Sequence, residues 1–375
     1  MTPSLHPLYL ILAAVFVVTG LYFLHDRAPI LMPCLLAASL IAIAVRAWLI
    51  ARERRRRRDS RAVIDFEALR HKDAAGWADW LKLNVRGHDA VVERLIERLQ
   101  QNLMVASPHR TLGAFLLVGP TGTGKTFLAE LLAKVLHPGT DPVVLRMNQY
   151  KDHQDVFTLL GPPPGQPGYE VGGALTRPVL DNPHRVIILD EFEKCHPDIK
   201  HCLYDVLDRG QCSEKSSGRT AHFGACAFFA TCNGGVESLR GIWADTKDPA
   251  VRAARARDAM AREGFEKALL ARFDDIFLMD QLKAVDIAEI ACLQLAKHWR
   301  QYGIEISYAS PEVIAEALQR NREFQEYGVR QLARLIQDLT TPSIEAARKS
   351  GAQRVRLDLD AATGRVLVTE AHDQA

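Results

Sequence analysis

The sequence predicts an α/β protein in which a parallel sheet carries helices on both faces, followed by a small C-terminal α+β domain and preceded by two apolar spans. Three observations lead there. A glycine-rich stretch, GPTGTGKT at 119–126, sits between the apolar run AFLLV and the helical run FLAELLAKVL. A second apolar run, HRVIILDE at 184–191, ends in adjacent carboxylates. Further short apolar runs, PVVLRM (142–147), ACAFFAT (225–231) and DIFLMD (275–280), alternate with helical or loop segments, a pattern that argues for parallel strands buried on both faces.

At the N-terminus, residues 8–24 and 30–50 are almost wholly apolar, each about long enough for a ~20-residue span. The five residues between them, HDRAP, suit a tight turn, and MTPSLHP lacks the basic start of a cleaved signal peptide. The expectation is therefore two N-terminal transmembrane helices within residues 1–51. Seven arginines among residues 52–61 follow the second run. Their position predicts that both ends lie inside, and no aromatic residues interleave them to stack on bases, so a topology signal is preferred to a nucleic-acid arm. Residues 52–83 then read as a basic juxtamembrane linker, in which Trp77, Trp80 and Leu81 fall near one face of a helix. Packing against the following domain is preferred there to lying at a membrane interface.

Over the whole chain the charges nearly balance, with 47 basic and 45 acidic residues among 375 and a net charge of +2, and the arginine run is a local extreme. Global charge says little about partners. The seven cysteines are odd in number and form no CxxC pair, which fits reduced thiols rather than a disulfide framework. Cys195, His196, His201 and Cys202 are metal-ligand types close together, but their spacing is not that of a zinc site, and packed or solvated side chains are the preferred reading.

Residues 84–281 read as the large domain. Strand 114–118, the glycine loop and helix 125–136 give GPTGTGKT the context of a phosphate-binding loop. Gly119, Pro120, Thr121, Gly122, Thr123 and Gly124 let backbone N–H groups wrap phosphates at a helix N-terminus. Lys125 would reach the β- and γ-phosphates, and the Thr126 hydroxyl would ligate magnesium. At the end of the second strand Asp190 would hold the magnesium shell through water while Glu191 orients the attacking water; adjacent strand residues point to opposite sides, so the two acids can divide the work. ATP and Mg2+ are the cofactors expected. Residues 282–375 read as a small domain of helices at 285–300, 310–320 and 329–339, closed by a hairpin over 354–370.

An ordered series of motifs then adds a resemblance. VRGHDAV, GPTGTGKT, GPPPGQPGYEVGGALT, VIILDEFEKCHPDI, GRTAHF, FFATCN, LLARFDD and YGVRQLARLIQ resemble, over about residues 84–368, the C-terminal ATPase module of the Clp family of AAA+ chaperones and protease-associated unfoldases. The resemblance implies an AAA+ P-loop fold. It assigns Asn233 to sensing the γ-phosphate, Arg272 to a finger that reaches a neighbouring subunit's nucleotide, and Arg330 to contacting nucleotide from the small domain of its own chain. A finger supplied in trans implies a homo-oligomer, a hexamer in this family.

The family's pore loop normally reads GYVGYE, but here Gln166 stands at the first aromatic place and Tyr169 keeps the second. No tripeptide matches the docking signal of protease-coupled relatives, so no protease partner is expected. The resulting expectation is an ATPase that remodels or unfolds polypeptide substrates, anchored in a bacterial inner membrane as a multi-pass protein, with its ATPase domain in the cytoplasm and membrane lipid or a membrane protein as partner. One alternative is a torsin-like or assembly-factor ATPase that docks and releases a partner without threading. The other is a nucleic-acid-stimulated motor, though no nucleic-acid partner is expected.

Overall fold

The computed structural model describes residues 64–322, 328–360 and 362–371. Its centre is a five-stranded sheet of β1 (Gly113–Val118), β2 (Val143–Arg146), β3 (Val186–Asp190), β6 (Ala227–Cys232) and β7 (Asp275–Leu278), in the order β2-β3-β6-β1-β7. Every pairing in it is parallel. The five runs that the sequence marked as strands are the five strands of this sheet.

Side-chain alternation explains why those runs are apolar throughout. Along β1, Ala114, Leu116 and Val118 enter one core, while Phe115 and Leu117 enter the other. In β3, Ile187 and Leu189 part from Val186 and Ile188 in the same way. A strand buried on both faces needs an apolar residue at every position.

The second of these cores is filled by α1 (Phe66–Arg70), α2 (Trp77–Asn84), α3 (Asp89–Met104) and α4 (Lys125–Leu136). Leu81, Leu95, Leu99, Leu128 and Leu132 are wholly buried there, and the Phe115 and Phe229 rings stack at 5.4 Å. Residues 64–83, set apart in the sequence as linker, thus contribute Leu69 and Leu81 to this core, with Trp77 packed against it. The other face carries α7 (Pro197–Arg209), capped at its start by His196 and ended by Gly210 in the left-handed conformation.

After β7 the chain builds a third core from α11 (Ala284–Arg300), α12 (Pro311–Arg322), α13 (Gly328–Ser350) and a three-stranded sheet. The expected hairpin is present as β9 (Arg354–Asp360) and β10 (Arg365–Glu370), antiparallel to each other. Against β9 lies a further parallel strand, β8 (Glu305–Ala309), which the sequence did not reveal. Its side chains are mostly half or fully exposed, so no apolar run marks it.

The membrane expectation is corrected. Among the described residues no helix is long and apolar enough to cross a membrane. The apolar runs at 8–24 and 30–50, and the arginine run after them, lie outside the described residues. Apolar length, the HDRAP turn, the missing basic start and the arginine run motivated the hairpin. The anchoring, lipid partner, membrane-protein partner and multi-pass inner-membrane location that depended on it have no element in the described fold, and they are withdrawn.

Candidate functional site

Parallel strands bring their carboxyl ends to one edge, where ligands of open α/β sheets bind. The register decides which residues meet there. Val118 pairs with Cys232, and Leu189 with Ala230, so the loop after β1, Asn233 after β6 and Asp190 at the end of β3 share that edge.

The glycine loop is held tightly. A Cβ at Gly119 would lie 2.1 Å from the Met279 carbonyl oxygen, so only glycine fits against the residue that follows β7. Gly122 (φ +84°) and Gly124 (φ +94°) take left-handed backbone that other residues avoid. The Thr123 hydroxyl donates to the Pro120 carbonyl at 3.0 Å. Lys125, buried at the first position of α4, donates from Nζ to the carbonyls of Gly119 (2.6 Å) and Pro120 (2.7 Å). Its ammonium therefore stays within the loop that would bind phosphate.

Beside the loop, Asp190 Oδ1 accepts from the Thr126 hydroxyl at 2.7 Å and from the Thr231 hydroxyl at 2.8 Å. A hydroxyl and a carboxylate are the hard oxygen donors that magnesium takes, and the adjoining glycine-rich N-terminus of α4 suits phosphate, so this donor set fits a magnesium nucleotide.

Glu191 departs from the sequence reading in one respect. It is not the next residue of the strand but turns away from it, with φ +56°, the only positive φ outside glycine among the described residues. Such strain costs of order 1–3 kcal/mol and persists where the surroundings fix it. Here the Glu191 N–H donates to Thr231 Oγ1 (2.9 Å), the Asn148 amide donates to Oε2 (2.8 Å), and Lys194 Nζ lies 2.9 Å from Oε1. That hydrogen bond also raises the pKa of Lys194 above its usual range. The backbone turn, and not strand alternation, separates the two acids.

Asn233 reaches the same edge, its N–H donating to Glu193 Oε1 at 3.2 Å. Arg272 does not. It precedes β7, whose Asp275 pairs with Phe115 and whose Leu278 pairs with Val118, so it lies where the strands begin, at the end opposite the glycine loop. There its guanidinium donates to Asp208 Oδ2 (2.6 Å) and to the Ala268 carbonyl, and covers the Tyr204 ring at 4.3 Å. Arg330 falls within α13. Gln166 and Tyr169 stand in the loop between α5 (Asp155–Leu160) and α6 (Thr176–Asp181); both are exposed, Tyr169 by 43%.

The cysteine and histidine cluster has separate partners. His201 pairs with Glu266 at 3.1 Å, the Asp198 N–H donates to His196 Nδ1, and the buried Cys195 thiol donates to the Phe192 carbonyl. Burial pushes the Cys195 thiol up to about 11, which keeps it protonated.

Asn148, Thr231, Lys194 and His88 escaped the sequence reading. Asn148 and Thr231 carry a signal only once the strand order is known, because each sits at or just beyond a strand end beside β3.

Residues 110–276 match the family model of the AAA domain (Cdc48 subfamily). Among curated proteins, the chain is 33% identical over 290 residues to the chaperone protein ClpB of Propionibacterium freudenreichii, covering 74% of this chain and 32% of that one. It is also 33% identical over 291 residues to the ATP-dependent Clp protease ATP-binding subunit ClpE of Lactococcus lactis, covering 75% and 38%. Against chaperone protein ClpB 1 of a Nostoc species the identity is 36% over 236 residues, covering 61% and 26%. The chain thus spans about a third of the length of the curated relatives it matches. With the phosphate loop at the carboxyl edge of a parallel sheet and the matched domain model around it, residues 110–276 form a P-loop ATPase domain of the AAA+ type.

Proposed function

We propose that the chain couples ATP hydrolysis to the remodelling or unfolding of polypeptide substrates, working as a ring of identical subunits. The observation that carries the nucleotide half is the bond from Thr126 to Asp190, which joins the phosphate loop to the acidic strand end at 2.7 Å. Gly119–Thr126 would cradle the phosphates of ATP, Lys125 exchanging its loop carbonyls for phosphate oxygens. Thr126 would hold Mg2+ directly and Asp190 through water. Bound there, Mg2+ supplies positive charge against the charge that develops on the phosphate oxygens.

Glu191 would orient and polarise the attacking water. Asn148 and Lys194 determine where its carboxylate points. Asn233 would contact the γ-phosphate, and Arg330 would approach the nucleotide from α13.

The ring half rests on Arg272. An arginine that neutralises transition-state charge is worth about 10³ to 10⁵ in rate, yet this one sits at the wrong end of the sheet for its own chain's loop. A neighbouring subunit is the site it suits. Exposed Tyr169 supplies an aromatic grip for a polypeptide, and the relatives' names, a chaperone and a protease subunit, fit that substrate class.

A folded fluorescent protein carrying an unstructured tail tests the coupling. Its fluorescence should fall with ATP in the presence of the wild type and persist with Glu191→Gln. Gln166 in the same loop favours a second reading, docking and release without threading. Active hydrolysis beside an intact fusion, and a partner released on ATP turnover, would select it.

A further inference from the structure

His88 lies outside every role given above, yet it touches the phosphate loop. It is the residue immediately before α3 and only 6% exposed, and its Nε2 stands 3.0 Å from the carbonyl oxygen of Thr123. A carbonyl can only accept, so Nε2 carries the proton and the ring is a donor. Burial lowers the pKa of His88, which favours this neutral form.

The consequence follows from peptide geometry. The Thr123 carbonyl and the Gly124 N–H belong to one planar trans unit and point in opposite directions. Fixing the carbonyl toward His88 therefore fixes the Gly124 N–H away from it. Gly124, with left-handed φ, adds no side chain of its own to fix that unit. The N–H groups of this loop are the groups that cradle phosphate.

The chain next to His88 is closely packed. A Cβ on neighbouring Gly87 would come within 2.8 Å of the Asp286 carboxylate in α11 and of Leu282 just before it.

We propose that His88 is a positioning residue for the nucleotide site, setting the Thr123–Gly124 peptide so that the Gly124 N–H faces the phosphates. This rests on the nucleotide reading of the loop. It predicts that loss of the donor weakens nucleotide binding and leaves the acid that drives turnover in place.

Titration of the full chain with a fluorescent ADP analogue, together with ATP turnover, tests this in His88→Phe, which keeps ring volume without a donor, and in His88→Gln, which restores an N–H donor. His88→Phe should bind about tenfold more weakly, the scale expected when a buried acceptor loses its partner, with KM raised and kcat within about twofold. His88→Gln should recover to within about threefold of the wild type. Equal binding by His88→Phe and the wild type would overturn the proposal, as would equal losses in both variants, which would mark a packing role alone. Lys125→Ala separates the two claims: if it binds the analogue as the wild type does, the nucleotide reading of the loop fails first.

Discussion

The chain has two glycine-rich loops, and they are built in opposite ways. In the phosphate loop each constraint is local and tight: Gly119 has no room for a Cβ, Lys125 is buried, and Thr126 is bonded to Asp190. In the loop between α5 and α6, the tip glycines 165 and 168 face open space, while Gln166, Tyr169 and Val171 are exposed. The tip is held by its own turns, with the Gln166, Tyr169 and Val171 N–H groups donating to the Pro163, Gln166 and Gly168 carbonyls, while side chains from outside the loop tie its base. Glu214, wholly buried, accepts from the Gly173 N–H (3.2 Å), the Thr176 hydroxyl (3.3 Å) and the Ser217 hydroxyl, and a Cβ at Gly172 would lie 2.5 Å from its Oε1. The same residue type thus serves close packing at Gly119 and Gly172 and an unhindered left-handed backbone at Gly124, Gly165 and Gly168. The end that performs chemistry is pre-organised. The end that would meet a substrate is held by side chains from elsewhere in the domain only at its root.

Variants sharpen this contrast. The largest effect belongs to Lys125→Ala, which should lower nucleotide affinity by about 100-fold or more, measured by equilibrium titration, because a charge-assisted partner of the phosphates is lost. Next, Glu191→Gln should slow turnover by about 10² to 10⁴, the range of a positioned general base, while nucleotide affinity stays within about twofold. Normal hydrolysis in that variant would remove the role given to Glu191. Glu214→Ala leaves the Gly173 N–H and the Thr176 hydroxyl without their partner, at a cost of about 2 kcal/mol. Its melting temperature should fall by roughly 4 °C, with nucleotide affinity unchanged. If affinity fell as well, the two loops would not be independent. The smallest effect is Tyr169→Ala, whose stability should stay within about 0.5 kcal/mol of the wild type because no core surrounds it.

Much of the fold could be read from the sequence because parallel strands buried on both faces leave unbroken apolar runs, as β1, β3 and β6 do. The phosphate loop was legible because its function constrains consecutive residues. What escaped lacked such a run. The strands β4 (Gln211–Ser213) and β5 (Thr220–His222) are too short to show a period, and β8 faces solvent along much of its length. The contacts of Asn148 with Glu191, Thr231 with Asp190 and His88 with Thr123 span 43, 41 and 35 residues, and only the tertiary fold brings them together. Glu191 was found by its place after an apolar run, but its left-handed backbone was not, since no local pattern demands it. The apolar runs at 8–24 and 30–50, read as a membrane hairpin, lie outside the described residues.

The claim on which the ring depends is that one active site takes its acid from one chain and its arginine from another. Glu191→Gln and Arg272→Ala should each hydrolyse ATP poorly alone. Mixed as subunits, they should recover turnover above the sum of the two, because a site with intact Glu191 on the Arg272→Ala chain can receive Arg272 from its neighbour. No recovery at any mixing ratio, with the mixed assembly formed, would contradict the account.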